Sequence, residues 1–158
     1  MKLSIIIPVY NSEKIISLLI KSIYKNLKDK IYPFEIILIN DFSRDRSWEK
    51  INYLVKKYNF VKGINLNQNY GQHSAIFIGL KYSKGKNIIC LDDDMQHDPF
   101  YLNDIYNQLE KGHDVCYVKY INRQHSKIKI FVSWLNNFIS SYLMEKSSKI
   151  YTSSFKGF

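Results

Sequence analysis

The sequence predicts an α/β fold, with a mainly parallel sheet covered by helices on both faces. Three observations carry that prediction. Short apolar runs alternate with segments of helical period, which is the pattern of βαβ units. Polar loops follow the apolar runs, and cap-forming residues open the helical segments after them. The 158-residue chain fits one domain, 1–158, with no internal repeat and no low-complexity segment.

The first strand is expected at residues 3–8, through Ser4-Ile5-Ile6-Ile7-Pro8. That run is too short for a signal peptide and lacks a small-residue cleavage pattern. After the loop Val9-Tyr10-Asn11, cap chemistry starts a helix at Asn11 or Ser12. A second strand is expected at 34–40, followed by Asp41-Phe42-Ser43-Arg44-Asp45 and a helix from Asp45, whose Trp48, Ile51, Leu54 and Val55 are spaced to face the sheet. A third strand at 61–66 leads through Asn67-Gln68-Asn69-Tyr70-Gly71 into a helix with small Ser74, Ala75 and Gly79, which allow close approach to the sheet. The fourth strand, 87–91, runs into Asp92-Asp93-Asp94, and Asp98-Pro99 caps and starts the next helix. Further strands are expected at 115–120 and 150–155. Between them, an amphipathic helix over 126–143 collects Ile128, Phe131, Val132, Leu135, Phe138, Ile139 and Tyr142 on one face.

A formal charge of +9 raises nucleic acid, acidic membrane surfaces and anionic small substrates as partners. The lysines and arginines form no stripe and the tyrosines are dispersed, so a nucleic-acid-binding module is disfavoured, and it would give the aspartates no role. Arg123, Lys127 and Lys129 are the one concentration that could meet an anionic lipid surface. No window supplies the ~18 apolar residues needed to cross a bilayer, so membrane contact from this sequence is peripheral. Cys90 and Cys116 cannot build a disulfide framework and suit a reducing compartment, while the four histidines lack zinc-type spacing.

The aspartate run is the strongest chemical signal. Three adjacent carboxylates repel one another, and they sit too far before the next helix to cap it. A hard divalent cation, Mg²⁺ or Mn²⁺, resolves the repulsion, because such ions take one or two carboxylates together with substrate phosphates. The chain has neither a Walker-type loop nor a Gly-x-Gly-x-x-Gly fingerprint, which excludes the two commonest nucleotide modes. In open α/β sheets, ligands bind beyond the carboxyl ends of the strands where strand order reverses. The loops after the first four strands would converge there.

Three blocks carry a resemblance. They are Ser4-Ile5-Ile6-Ile7-Pro8-Val9-Tyr10-Asn11, then Glu35-Ile36-Ile37-Leu38-Ile39-Asn40-Asp41-Phe42-Ser43, and then Gly85 through Leu91-Asp92-Asp93-Asp94-Met95-Gln96. In this order and at these separations the chain resembles a family 2 glycosyltransferase of the Rossmann-like GT-A fold. Asn67-Gln68-Asn69-Tyr70-Gly71-Gln72 is similar to the Arg-Asn-Phe-Gly-Lys stretch of the branch that transfers sugars to polyprenyl phosphates. The resemblance implies that Pro8 and Tyr10 line a base pocket and that Asp41 accepts hydrogen bonds from the base. It implies that Asp92 and Asp94 are the ends of an Asp-x-Asp motif, with Asp94 as a direct metal ligand, Asp92 or Asp93 near the ribose, Gln96 reaching the metal and Lys119 near the diphosphate. The implied partners are a nucleotide-diphosphate sugar and a lipid-phosphate or glycan acceptor, used at the cytoplasmic face of a membrane.

Two departures stand out. Asn40 replaces a frequent Asp, and Phe42 replaces a frequent Gly, implying either a turn without positive φ or strain. Relatives normally run on past Ser154-Phe155-Lys156 into acceptor-binding elements, so the resemblance implies a donor-binding part truncated at the C-terminus. A non-catalytic nucleotide-sugar binder or an inactive remnant is the competing reading.

Overall fold

A computed structural model describes residues 1–96, 98–118 and 155–158. The chain divides into two units, residues 1–116 with 154–158 and residues 117–153, and the fold below is that of the first. The strands are β1 (Leu3–Val9), β2 (Phe34–Asn40), β3 (Val61–Asn65), β4 (Asn87–Cys90), β5 (Cys116–Tyr117) and β6 (Lys156–Gly157). The helices are α1 (Ile16–Leu27), α2 (Ser47–Lys57), α3 (Gln72–Tyr82) and α4 (Leu102–Glu110), the last preceded by a 3₁₀ turn at Pro99–Tyr101. Sheet order is β3-β2-β1-β4-β6-β5. β1 pairs in parallel with β2 and β4, and β2 with β3, whereas β6 is antiparallel to β4.

Every residue of β1 and β2 is buried, which is why both are mostly apolar rather than alternating, the polar exceptions Ser4, Glu35 and Asn40 being hydrogen-bonded inside the fold. Alternate side chains serve the two faces. Ile6, Ile37, Ile39 and Cys90 form one cluster with Ala75 of α3. A Cβ on Gly79 would meet Ile39 Cδ1 at 2.9 Å and come closer still to Ile6, so this glycine lets α3 lie directly on β1 and β2. On the other face α2 covers β3, where a Cβ on Gly63 would strike Ile51 at 2.6 Å, and α4 reaches β4 and β6 through Ile105 and Leu109. Burial pushes the Cys90 thiol up to about 11, as expected of an inert core residue.

At four places the structure corrects or narrows an expectation. α1 begins at Ile16, not at Asn11 or Ser12, because the Ser12 hydroxyl binds Asp93 and its N–H donates to Ser47 Oγ at 2.7 Å. The last strand is Lys156–Gly157, later than the expected 150–155, of which only Phe155 is described. The strand expected over 115–120 appears as Cys116–Tyr117, with residues 119 and 120 outside the described set. Phe42 has φ 59°, so the turn with ordinary φ is excluded and the strained alternative holds. The helix expected over 126–143, with Arg123, Lys127 and Lys129, lies outside the described residues.

At the amino-terminal end of the sheet sits a buried polar cluster. Glu35, 1% exposed, pairs with Lys62 Nζ at 2.5 Å and accepts from Ser4 Oγ and the Lys84 N–H, each at 2.7 Å. The Gly85 N–H donates to Ser4 Oγ at 2.7 Å. Burial pushes the Glu35 carboxyl up, but Lys62, Ser4 and Lys84 together hold it below the usual glutamate range.

Candidate functional site

The strand order reverses at β1, which is flanked by β2 and β4, and a cleft of about 330 Å³ opens beyond the carboxyl ends of these strands. Pro8, Val9, Tyr10, Asp41, Asn69, Gly71, Gln72, Asp92, Asp93 and Asp94 line it. Six sequence-predicted site residues therefore share one cavity: Pro8, Tyr10, Asp41, Asp92, Asp93 and Asp94. Gln96 is exposed and does not line it, although its N–H donates to Asp94 Oδ1 at 2.9 Å. Lys119 lies outside the described residues.

The four carboxylates have different surroundings. Asp41 is 3% exposed, and its two oxygens accept from the Tyr70 and Gly71 N–H groups at 2.8 Å each. That grip anchors the loop between β3 and α3 to the end of β2. Gly71 has φ 85° with open space around a Cβ position, so conformation rather than crowding calls for glycine there. Asp93 Oδ2 accepts from the Tyr10 N–H at 3.0 Å and from the Ser12 hydroxyl, which ties the end of β4 to the loop after β1. Burial raises the Asp93 carboxyl above its ordinary value, with the Asp94 charge adding to the rise, while its bonds to Ser12 and Tyr10 oppose it. Asp92 Oδ1 accepts from Gln72 Nε2 at 2.6 Å. Asp94 is exposed, and the next residue, Met95, has φ 56°.

The loops after β1 and β2 are laced together. The Asn11 N–H donates to Ser43 Oγ at 3.0 Å, the Arg44 N–H to Asn11 Oδ1 at 2.8 Å, and the Glu13 N–H to Asp45 Oδ2 at 3.1 Å. Asn11 and Phe42 both carry positive φ here, at 57° and 59°. A large side chain in that region costs about 1–2 kcal/mol. Two non-glycine residues in that conformation across one seam are the mark of a backbone shaped by its surroundings.

The side chains that could face a cation in the cleft offer oxygen only, the carboxylates of Asp92 and Asp94, with the Gln96 N–H bonded to Asp94 just outside it. Among the described residues no group of three His, Cys, Asp or Glu side chains is arranged to hold a metal ion by itself. Such a set suits a hard divalent ion that completes its shell with phosphate and water, and it does not suit zinc.

Comparison with known proteins settles the family. The family model described as Glycosyl transferase family 2 matches residues 4–157. The chain belongs to glycosyl transferase family 2. An undecaprenyl-phosphate 4-deoxy-4-formamido-L-arabinose transferase from Photorhabdus laumondii is 36% identical over 137 residues, covering 86% of this chain and 42% of that protein. The protein of the same name from Pseudomonas fluorescens strain Pf0-1 is 38% identical over 136 residues, covering 85% and 40%. The chain thus spans about two fifths of the length of these relatives.

Among solved structures, S. aureus TarS residues 1–349 in complex with UDP matches with TM-score 0.63 and 28% identity, over 80% of this chain and 38% of that one. Glucosyl-3-phosphoglycerate synthase from Mycobacterium tuberculosis, in complex with Mn²⁺, UDP and phosphoglyceric acid, matches with TM-score 0.73 over 99% of this chain and 55% of that one. At 16% identity the second likeness shows the fold alone. The expected GT-A-like α/β architecture of this family 2 chain is therefore borne out.

Sequence reasoning brought the loops that hold Val9, Asn69 and Gly71 to this end of the sheet but named neither these three nor Gln72 as site residues. The signal for Asn69, Gly71 and Gln72 was present in the block after β3, but no spacing rule says that the residue opening α3 reaches one just past the end of β4.

Proposed function

We propose that this chain forms the donor-binding part of a metal-assisted, inverting glycosyltransferase that moves a sugar from a nucleoside-diphosphate sugar to a polyprenyl phosphate or a cell-surface glycan. The observation that carries the reading is the single cleft at the β1/β4 switch point, where Asp92, Asp93 and Asp94 meet Pro8, Tyr10 and Asp41. The names of the undecaprenyl-phosphate transferases at 36% and 38% identity favour the lipid phosphate.

Pro8 and Tyr10 form the wall for the base. Asp41, whose oxygens each retain a lone pair beside the Tyr70 and Gly71 N–H groups, accepts from it. Asp93 keeps the loop after β1 in place. Asp92 and Asp94, with Gln96, would hold Mg²⁺ or Mn²⁺. When bound, such an ion supplies charge neutralisation at the diphosphate leaving group. A lipid phosphate already carries the attacking negative charge, so transfer to it needs little help from a general base. A hydroxyl acceptor needs a carboxylate base within hydrogen-bond reach.

A polyprenyl phosphate is confined to a bilayer, so transfer to it would bring the working enzyme to a membrane surface, in this reading the cytoplasmic face. No helix among the described residues is long and apolar enough to cross one. Flotation with anionic vesicles tests that contact, and a chain that stays wholly in the dense fraction counts against it.

Calorimetric titration of UDP, GDP and their sugar conjugates, with and without Mn²⁺, tests the donor site. Binding is expected to strengthen with Mn²⁺ and to lose that gain in Asp94→Ala. Binding that ignores both Mn²⁺ and the substitution overturns the proposal.

A further inference from the structure

We propose that Asp93, the middle carboxylate of the run, is a positioning residue for the nucleotide base: it holds the backbone from which Tyr10 leaves, and so sets affinity for the nucleoside half of the donor. The inference rests on the donor-site reading above.

After β1 the chain passes along the rim of the cleft, and four consecutive N–H groups donate to side-chain oxygens from elsewhere in the sequence. Tyr10 donates to Asp93 Oδ2 at 3.0 Å, Asn11 to Ser43 Oγ at 3.0 Å, Ser12 to Ser47 Oγ at 2.7 Å and Glu13 to Asp45 Oδ2 at 3.1 Å. Three of the acceptors belong to the stretch between β2 and the start of α2. The fourth, Asp93, comes from beyond β4, on the other side of β1 in the sheet.

Ser12 joins the two sides. Its N–H is on Ser47, while its hydroxyl donates to the same Asp93 oxygen that takes the Tyr10 N–H. Ser47 is fully buried, and its own hydroxyl donates on to Asp45 Oδ1 at 2.5 Å. The loop is therefore backed by the buried start of α2 on one side and tied by a single carboxylate oxygen on the other.

Tyr10 is where this tie matters. Its side chain is 45% exposed, so packing does little to fix the ring, and the pose of the ring follows from the backbone beneath it. Both Tyr10 and Asp93 line the cleft. Loss of the Asp93 acceptor would release the loop on the cleft side and leave the N–H bonds of residues 11–13 in place. The base wall would then be ordered only as the nucleotide binds, at an entropic cost. What the loop needs from Asp93 is an acceptor, which an amide oxygen also supplies. A ligand to a hard divalent ion differs, since there the carboxylate charge matters.

The experiment titrates UDP, GDP and inorganic pyrophosphate into the 158-residue chain in Mn²⁺, and reads the ratio of nucleotide affinity to pyrophosphate affinity. Asp93→Ala is expected to lower that ratio roughly threefold to tenfold, the scale of a hydrogen bond to a charged group at a partly exposed site. Asp93→Asn keeps the oxygen, and its ratio is expected to stay within about twofold of the wild type. In a Tyr10→Ala background the ring is gone but the backbone N–H remains, and there Asp93→Ala is expected to change the ratio by less than about twofold. Ser12→Ala removes the hydroxyl bond alone and is expected to lower the ratio about threefold, which carries the test if Asp93→Ala does not fold. A role at the metal or in the fold alone would move nucleotide and pyrophosphate together. A wild-type ratio in Asp93→Ala or Ser12→Ala, an equal fall in Asp93→Asn, or a fall that persists without the Tyr10 ring overturns the inference alone. Nucleotides that bind the wild-type chain no more tightly than pyrophosphate overturn the base-wall reading of the site, and this inference with it.

Discussion

At the amino-terminal end of the sheet one carboxylate, Glu35, is held by a lysine, a hydroxyl and a backbone N–H; at the carboxyl-terminal end four aspartates share one cleft. Among the described residues no ion pair involves Asp41, Asp93 or Asp94. The first cluster is neutralised from within and closed to ligands. In the second, Asp41 and Asp93 are braced by backbone and hydroxyl donors rather than by a cation, and the exposed Asp94 stands beside them at the opening. A protein can bury a charge for architecture or expose a set of them for a partner, and the kind of donor around each carboxylate tells the two apart.

The sharpest break of this comparison is Gly85→Ala at the closed end. Its Cβ would stand 2.6 Å from the Leu3 carbonyl carbon and 2.7 Å from the Asn87 oxygen, both backbone, so little can give way. A loss of about 3 kcal/mol in urea unfolding is expected. Lys62→Met follows. It leaves Glu35 buried without its cation, but Lys62 is 42% exposed, so the expected loss is about 2 kcal/mol, below the full value for a buried pair.

The same variant has a pH signature. Because the folded-state pKa of Glu35 lies below its ordinary value of 4.5, its stabilisation is present above pH 4.5 and fades as pH falls through the lower folded value. Unfolding midpoints measured down through that range should fall more gently for Lys62→Met than for the wild type.

At the open end the effects on folding are smaller, a gain at one position and almost no change at another. Phe42→Gly removes a bulky residue from φ 59°, and the relief outweighs the added backbone entropy of glycine, giving a gain of about 0.5–1 kcal/mol. Asp94→Ala, at an exposed position beside two like charges, should leave stability within about 0.5 kcal/mol by thermal melting. A large loss in either variant would erase the distinction between the two ends.

Much of the scaffold was legible in advance for a simple reason. β1 and β2 are buried on both faces, so their apolar runs have no competing interpretation, and β2 was placed at its observed bounds. The start of α1 was not legible, since Ser12 has the chemistry of a cap but gives its hydroxyl to Asp93, 81 residues away. The convergence of Pro8, Tyr10, Asp41 and the aspartates followed from topology. Their division of labour did not, because it depends on loop paths: Asp41 and Asp93 brace neighbouring loops through backbone N–H groups, and Gln72 reaches Asp92 across a seam. Phe42 shows the same limit, where the sequence left two conformations open and the backbone takes the one with φ 59°.

The contact of Gly79 with Ile6 and Ile39 has a consequence at a distance. Gly79 and Gln72 are seven residues apart on one helix, about 10 Å at 1.5 Å per residue. α3 acts as a lever with its fulcrum at Gly79. A larger residue there would lift the helix from the sheet and swing its first turn, carrying the Gln72 amide away from Asp92 without altering either partner. Natural variation at an interior glycine would then retune the rim of the cleft, and a screen confined to residues that face the ligand would overlook it.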